Sequence, residues 1–127
     1  MHVVVSGSRH IEDYGIVAKA LIDSGFEITE IIYGGAKGVD HMAAQFADKH
    51  GIQKILFKAD WDVNGRAAGP IRNSDMIKYV KELGDGALVA VWDGQSRGTF
   101  DCIKKAFAAE LPIYVVTVRK KSDSKQV

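Results

Sequence analysis

Residues Ile28-Thr29-Glu30-Ile31-Ile32-Tyr33-Gly34-Gly35-Ala36-Lys37-Gly38-Val39-Asp40 decide how this chain is read. A strand-like run (Ile28, Ile31, Ile32, Tyr33) passes through three glycines into a helical pattern carried by His41, Ala44, Phe46 and Ala47. Glycines between a strand and a helix let the backbone turn tightly and come within hydrogen-bonding distance of a ligand. The amides that follow belong to a helix N-terminus, which carries roughly +0.5 of a charge and favours phosphate. Gly34, Gly35, Ala36, Gly38 and Asp40 therefore read as an anion site. The same stretch also reads as a tight βα turn in which Asp40 caps the helix.

Working outward, strands and helices alternate. Strands are predicted over 2–6, 27–33, 52–57, 87–92 and 113–118, and helices over 12–24, 40–50, 70–83 and 99–110. Gly25 suits the first helix's C-terminus and Pro70 the first turn of the third. Residues 59–69 are expected to be irregular. The runs Val3-Val4-Val5 and Leu88-Val89-Ala90-Val91 are apolar on both strand faces, as in a parallel sheet covered on both sides. Right-handed crossovers then give a Rossmann-like, doubly wound α/β sheet of about five parallel strands, order 3-2-1-4-5, in a single domain over 1–118. Residues 119–127 read as a polar, disordered tail.

Composition narrows the function. The 127 residues are 46% hydrophobic and 26% charged, ordinary values for one globular domain. A net charge of +1, from 17 basic against 16 acidic residues, argues against a dedicated nucleic-acid binder. One cysteine, Cys102, rules out an internal disulfide and a cysteine-rich metal site, and it fits a reducing compartment. No signal-peptide core follows Met1, and no apolar run approaches the roughly 20 residues of a membrane span. A cytoplasmic domain needing no metal and no bound cofactor is expected.

Ligands of such sheets bind beyond the strands' carboxyl ends, where the strand order reverses. Three further loops are expected there. After the first strand, Gly7 permits a turn, and Ser8 and Arg9 offer donors; Arg9 could instead pair with Glu12 or Asp13. After the fourth, Ser96, Arg97, Gly98 and Thr99 open a helix with hydroxyls, a guanidinium and free amides. There Ser96 or Thr99 could simply be a cap. In the middle region Arg72 and Met76 are four apart on one helix face, beside Asn73. Trp61 is placed either to stack on a base or to cover the core.

The motifs form one ordered series: Gly7-Ser8-Arg9, Gly34-Gly35-Ala36-x-Gly38-x-Asp40, Ala59-x-Trp61, Ala68-Gly69-x-x-Arg72-Asn73-x-x-Met76 and Ser96-x-Gly98-Thr99. Together they resemble the YspA-like branch of the SLOG superfamily, which also holds the LOG phosphoribohydrolases and the DNA-processing protein DprA. The resemblance spans about 2–118. It implies a Rossmann-like domain for nucleotides or nucleotide derivatives, including ADP-ribose or NAD-like molecules, often as a homodimer.

LOG enzymes pair an arginine of an Arg-Lys-x-x-Met motif with a glutamate ending Gly-Gly-x-Gly-Thr-x-x-Glu. Here Arg72-Asn73-Ser74-Asp75-Met76 is similar to the first, but Cys102 stands at the glutamate's position. N-glycosidic cleavage generally relies on carboxylates, so Asp40, Asp93 and Asp101 become candidate substitutes, Asp40 the best placed. The leading expectation is a nucleotide-binding sensor or sequestering domain. A nucleotide N-glycosidase using Arg72 and Asp40 is the alternative. A single-strand DNA binder using Lys104, Lys105 and the 119–121 patch is a lesser one.

Overall fold

A computed structural model describes residues 1–119. In chain order the elements are β1 (His2–Gly7), α1 (Tyr14–Asp23), β2 (Glu30–Tyr33), α2 (Val39–Lys49) and β3 (Gln53–Leu56). There follow α3 (Trp61–Asn64), a 3₁₀ turn (Gly65–Ala67), α4 (Ala68–Leu83), β4 (Gly86–Trp92), α5 (Arg97–Ala108) and β5 (Ile113–Thr117). All neighbouring strands pair in parallel, in the expected order β3-β2-β1-β4-β5. Arg119 apart, the polar tail expected over 119–127 lies outside the described residues.

The two-sided apolar strands explain the layering. Because side chains alternate along a strand, Val3, Val5, Ile31, Val89 and Val91 face one way, packed on Val17 and Leu21 of α1 and Phe46 and Ala47 of α2. Val4, Ile32, Leu88 and Ala90 face the other, against Met76 and Val80 of α4 and Cys102 and Ala106 of α5. Two helices thus cover each face of one sheet, and the central strands β1 and β4 are buried except at their ends.

Element boundaries shift by two or three residues at several points, and α1 runs Tyr14–Asp23 rather than 12–24. The strand β2 begins at Glu30 rather than residue 27, because Thr29 donates its N–H to the Met1 carbonyl (2.9 Å) instead of joining the ladder. The stretch 59–69 is largely ordered. Asp60 caps α3 by accepting from the Val63 amide at 3.1 Å, and α4 starts at Ala68, two residues before Pro70. Pro70 remains in the first turn, where a missing N–H loses no helical bond. Finally, α5 begins at Arg97 rather than Thr99, one turn-fragment closer to β4.

Candidate functional site

Chain order reverses between β1 and β4, and the loops at that end of the sheet converge. Ser8, fully buried, is their common point. Its N–H donates to the Val91 carbonyl (3.1 Å), and its hydroxyl accepts from the Asp93 amide (3.0 Å). Its carbonyl accepts from the amides of Ile11 (3.4 Å) and Val39 (3.5 Å). Gly38 is held here with φ +74°, and a Cβ on it would lie 2.6 Å from the Ser8 and Arg9 carbonyl oxygens. Only glycine fits that close approach of the two loops.

The loops enclose a cavity of about 420 Å³. Its wall includes Ser6, Gly7, Ser8, Arg9 and His10 from β1 and its loop, with Ala36 and Asp40 from the glycine loop and α2. The α4 side supplies Arg72, Asn73 and Met76, and the β4–α5 side supplies Asp93, Gln95, Ser96, Gly98 and Thr99. Gly34, Gly35 and Trp61 line an adjoining depression of about 230 Å³ that shares Arg9, Ala36 and Arg72 with the cavity. Gly38 and the exposed Arg97 line neither. Sequence reasoning passed over Ser6 and His10. Their signals were a lone hydroxyl ending the apolar β1 run and an imidazole following Arg9.

Asp40 is not the cap of α2. Gly38 holds that position without a side-chain bond, while buried Asp40, in the first turn, reaches back to accept from the Ala36 amide at 3.2 Å. Burial pushes its carboxyl up to about 6, against the pull of the Ala36 and Gly34 amides and of Arg72 and Arg9. The glycine loop therefore already surrounds an anionic group of its own, and the Ala36 amide is engaged by it.

Arg72 is fixed from two sides. Its Nη1 donates to the Gly34 carbonyl (2.7 Å) and its Nε to Asn73 Oδ1 (3.0 Å). Asn73, 3% exposed, donates from Nδ2 to the Gly98 carbonyl (3.1 Å) and to Asp101 Oδ2 (3.0 Å). Although Asn73 lines the cavity, both its N–H donors are engaged, so it orients Arg72 and α5. The remaining guanidinium N–H groups of Arg72 stay available to a ligand. Asp101 also accepts from Lys105 Nζ (2.8 Å), which donates to the Pro70 carbonyl as well (2.7 Å). Lys105 is thus engaged between α4 and α5. Lys104 lies over the Phe100 ring, and residues 120 and 121 of the expected basic patch are outside the described residues.

At the start of α5, Ser96 occupies the cap position but makes no side-chain capping bond. Asp93 Oδ1 accepts from the Gln95 (2.8 Å) and Ser96 (2.7 Å) amides, shaping the loop. The Thr99 hydroxyl donates to Ser96 Oγ (3.3 Å). The helix therefore starts at the cavity wall, through Ser96, Gly98 and Thr99, without a side-chain cap from Ser96. A Cβ on Gly98 would meet no atom within 4 Å, so the space before it is open. Arg9 makes no ion pair with Glu12 or Asp13 among the described residues; Asp13 instead caps α1 through the Gly15 amide (2.9 Å).

Cys102 is fully buried in the α4–α5 layer, and burial pushes its thiol up to about 12 despite a bond with Ser6. It is a neutral core group without nucleophilic character. Among the described residues no group of His, Cys, Asp and Glu is arranged to hold a metal ion, and no helix is long and apolar enough to cross a membrane.

A parallel α/β sheet with a polar cavity at its switch point defines a Rossmann-like domain. The chain belongs to the YspA, cpYpsA-related SLOG family, whose model matches residues 1–63. It is 31% identical over 120 residues to the Gene 61 protein of Mycobacterium phage D29, covering 87% of this chain and 92% of that protein. The X-ray structure of DNA processing protein A (DprA) from Streptococcus pneumoniae superposes with a TM-score of 0.71 at 17% sequence identity, a likeness of fold. That match covers 98% of this chain and 53% of DprA, so the chain spans about half of DprA's length.

Proposed function

We propose that this domain binds a nucleotide or nucleotide-derived small molecule, acting as a sensor or sequestering protein. One observation carries the reading: the start of α5 with the Ser96 hydroxyl, and the pre-set guanidinium of Arg72, line one cavity of about 420 Å³. Helix amides and hydroxyls suit phosphate oxygens, and a fixed arginine adds charge-assisted bonds. The volume falls within the range of small-molecule sites. Since the Ala36 amide already serves Asp40, the phosphate is assigned to the α5 side, and the glycine loop supports Arg72.

Native mass spectrometry of freshly purified protein, followed by calorimetry with adenosine 5′-monophosphate and ribose 5-phosphate, tests this. A co-purified or added phosphorylated ligand bound stoichiometrically and without turnover is expected. Failure of every phosphorylated probe to bind would overturn it.

A second reading, hydrolysis of an N-glycosidic bond, is favoured by Asp40. This carboxyl lines the cavity near Arg72, and burial brings it into the range where a group can give and take protons near neutrality. Its rivals are otherwise occupied: Asp101 is bound by Asn73 and Lys105, and Asp93 holds the α5 loop. Release of free base from nucleoside monophosphates or NAD, abolished by Asp40→Asn, would establish this reading. Intact ligands after prolonged incubation would leave binding alone.

A further inference from the structure

The cavity wall carries hydroxyls, charges and glycines, but no Trp, Tyr or Phe ring. The only side-chain ring it offers the base of a nucleotide lying wholly inside it is His10, an exposed imidazole. The adjoining depression has the opposite character. Trp61 and Leu56, 51% and 41% exposed, stand there beside Ala59 and the glycine backbone of residues 34 and 35. Large apolar side chains left in solvent at the mouth of a polar cavity lose the burial that would stabilise them elsewhere, and a planar ligand group would restore it.

The local backbone keeps this surface flat. Gly35 has φ +78°, and a Cβ on it would come 2.7 Å from Leu56 Cδ1, so no side chain can rise there. The Trp61 ring rests over Gly69, its Cη2 3.4 Å from where that residue's Cβ would stand. Asp60 holds α3 in place through the Val63 amide, which keeps Trp61 at the rim. Arg9, Ala36 and Arg72 border both spaces, making them two lobes of one cleft with the guanidinium of Arg72 at the junction.

We propose that the Trp61 lobe is a base subsite: the heteroaromatic ring of a nucleoside phosphate stacks on Trp61 beside Leu56, while its phosphate lies in the main cavity. Lys58, which also lines the lobe, is the donor available to a ring nitrogen or carbonyl at the base edge. The inference rests on the phosphate-binding reading and deepens it. It orients the ligand and assigns the site to base-bearing nucleotides over bare sugar phosphates.

Calorimetry separates the two ideas. Adenosine 5′-monophosphate and ribose 5-phosphate are titrated into wild type, Trp61→Ala, Trp61→Phe and His10→Ala. Wild type should prefer the nucleotide. Trp61→Ala should lose roughly 5- to 150-fold in nucleotide affinity, the range expected for one base–aromatic stack, and leave ribose 5-phosphate unchanged. Trp61→Phe should retain most of the preference, and circular dichroism should show both Trp61 variants folded, since the residue lies outside the core.

Three results would overturn the subsite while leaving phosphate binding intact. These are equal wild-type affinity for the two probes, equal weakening of both by Trp61→Ala, or loss of the nucleotide preference in His10→Ala instead. Binding of neither probe by wild type would remove both readings.

Discussion

Arg72 Nη1 donates to the Gly34 carbonyl at 2.7 Å, joining the first turns of α4 to the loop after β2 across 38 positions of sequence. The guanidinium lies so close over Gly34 that a Cβ there would overlap it. Gly34 and Arg72 therefore act as one feature, the glycine providing the space in which the arginine is held.

Gly34→Ala should consequently behave like Arg72→Ala in binding and unlike it in charge. The backbone at 34 is not in the positive-φ region, so the fold should survive, while the guanidinium is pushed off its seat. Loss of a charge-assisted bond is worth about 1.5–3 kcal/mol, or roughly ten- to hundredfold in affinity. Calorimetry with adenosine 5′-monophosphate, beside a thermal melt, checks this. Unchanged affinity in a folded variant would refute the pairing.

Gly38→Ala should do the reverse. Its φ of +74° and the 2.6 Å approach to the Ser8 and Arg9 carbonyls leave a methyl group no room. A loss of at least about 1–3 kcal/mol in unfolding free energy is expected from backbone strain, before the clash is added. Urea denaturation measures it, and a variant as stable as wild type would show that the loop relaxes freely.

Asp40 makes stability depend on pH in a defined direction. Its carboxyl stands at about 6 in the fold against 3.8 unfolded, so the folded chain holds the extra proton in that window. The associated stability is fully present below pH 3.8 and is lost as pH rises through 6, a change of roughly 3 kcal/mol. Asp40→Asn, which keeps an acceptor for the Ala36 amide, should remove this slope and be the more stable protein above pH 6. Urea curves at several pH values compare the two; parallel profiles would contradict the assignment. On the binding side, protonating Asp40 takes a negative charge from the cavity wall while the phosphate monoester also loses charge near pH 6, so relative to Asp40→Asn the wild type should gain affinity for phosphorylated ligands as pH falls through about 6.

The thiol of Cys102 should be silent. Buried and pushed up to about 12, it has almost no thiolate at neutral pH. A disulfide reagent should label it only as fast as the domain opens, and stoichiometrically in denaturant. Cys102→Ala should leave nucleotide binding intact. Rapid labelling of the native protein would place the thiol within reach of the cavity.

The sheet was legible because its signals are local: Val3-Val4-Val5 and Leu88-Val89-Ala90-Val91 are apolar on both faces, and helical periods separate the strands. The cluster of Ser8, Asp40, Arg72 and Thr99 at one edge followed from topology, which places every βα loop on the same side. Which donors remain available there did not follow. That Asp40 folds back onto Ala36, or that Asn73 engages Arg72, Gly98 and Asp101 together, depends on side-chain geometry between elements far apart in sequence. The short helix Trp61–Asn64 escaped notice because four residues give no periodicity to read.

Ser8 ties the loops after β1, β2 and β4 through four bonds made by its amide, carbonyl and hydroxyl, whereas the segment from Lys58 to Ala67 takes no part in that junction. A residue inserted beside the tied positions Ile11, Val39 or Asp93 strains a bond at Ser8, but one inserted beside α3 does not. The main cavity is thus resistant to change in length, while the Trp61 end of the cleft is free to acquire it. On the proposed reading, a lineage built on this scaffold could exchange one recognised base for another by remodelling a single segment, without rebuilding the proposed phosphate site.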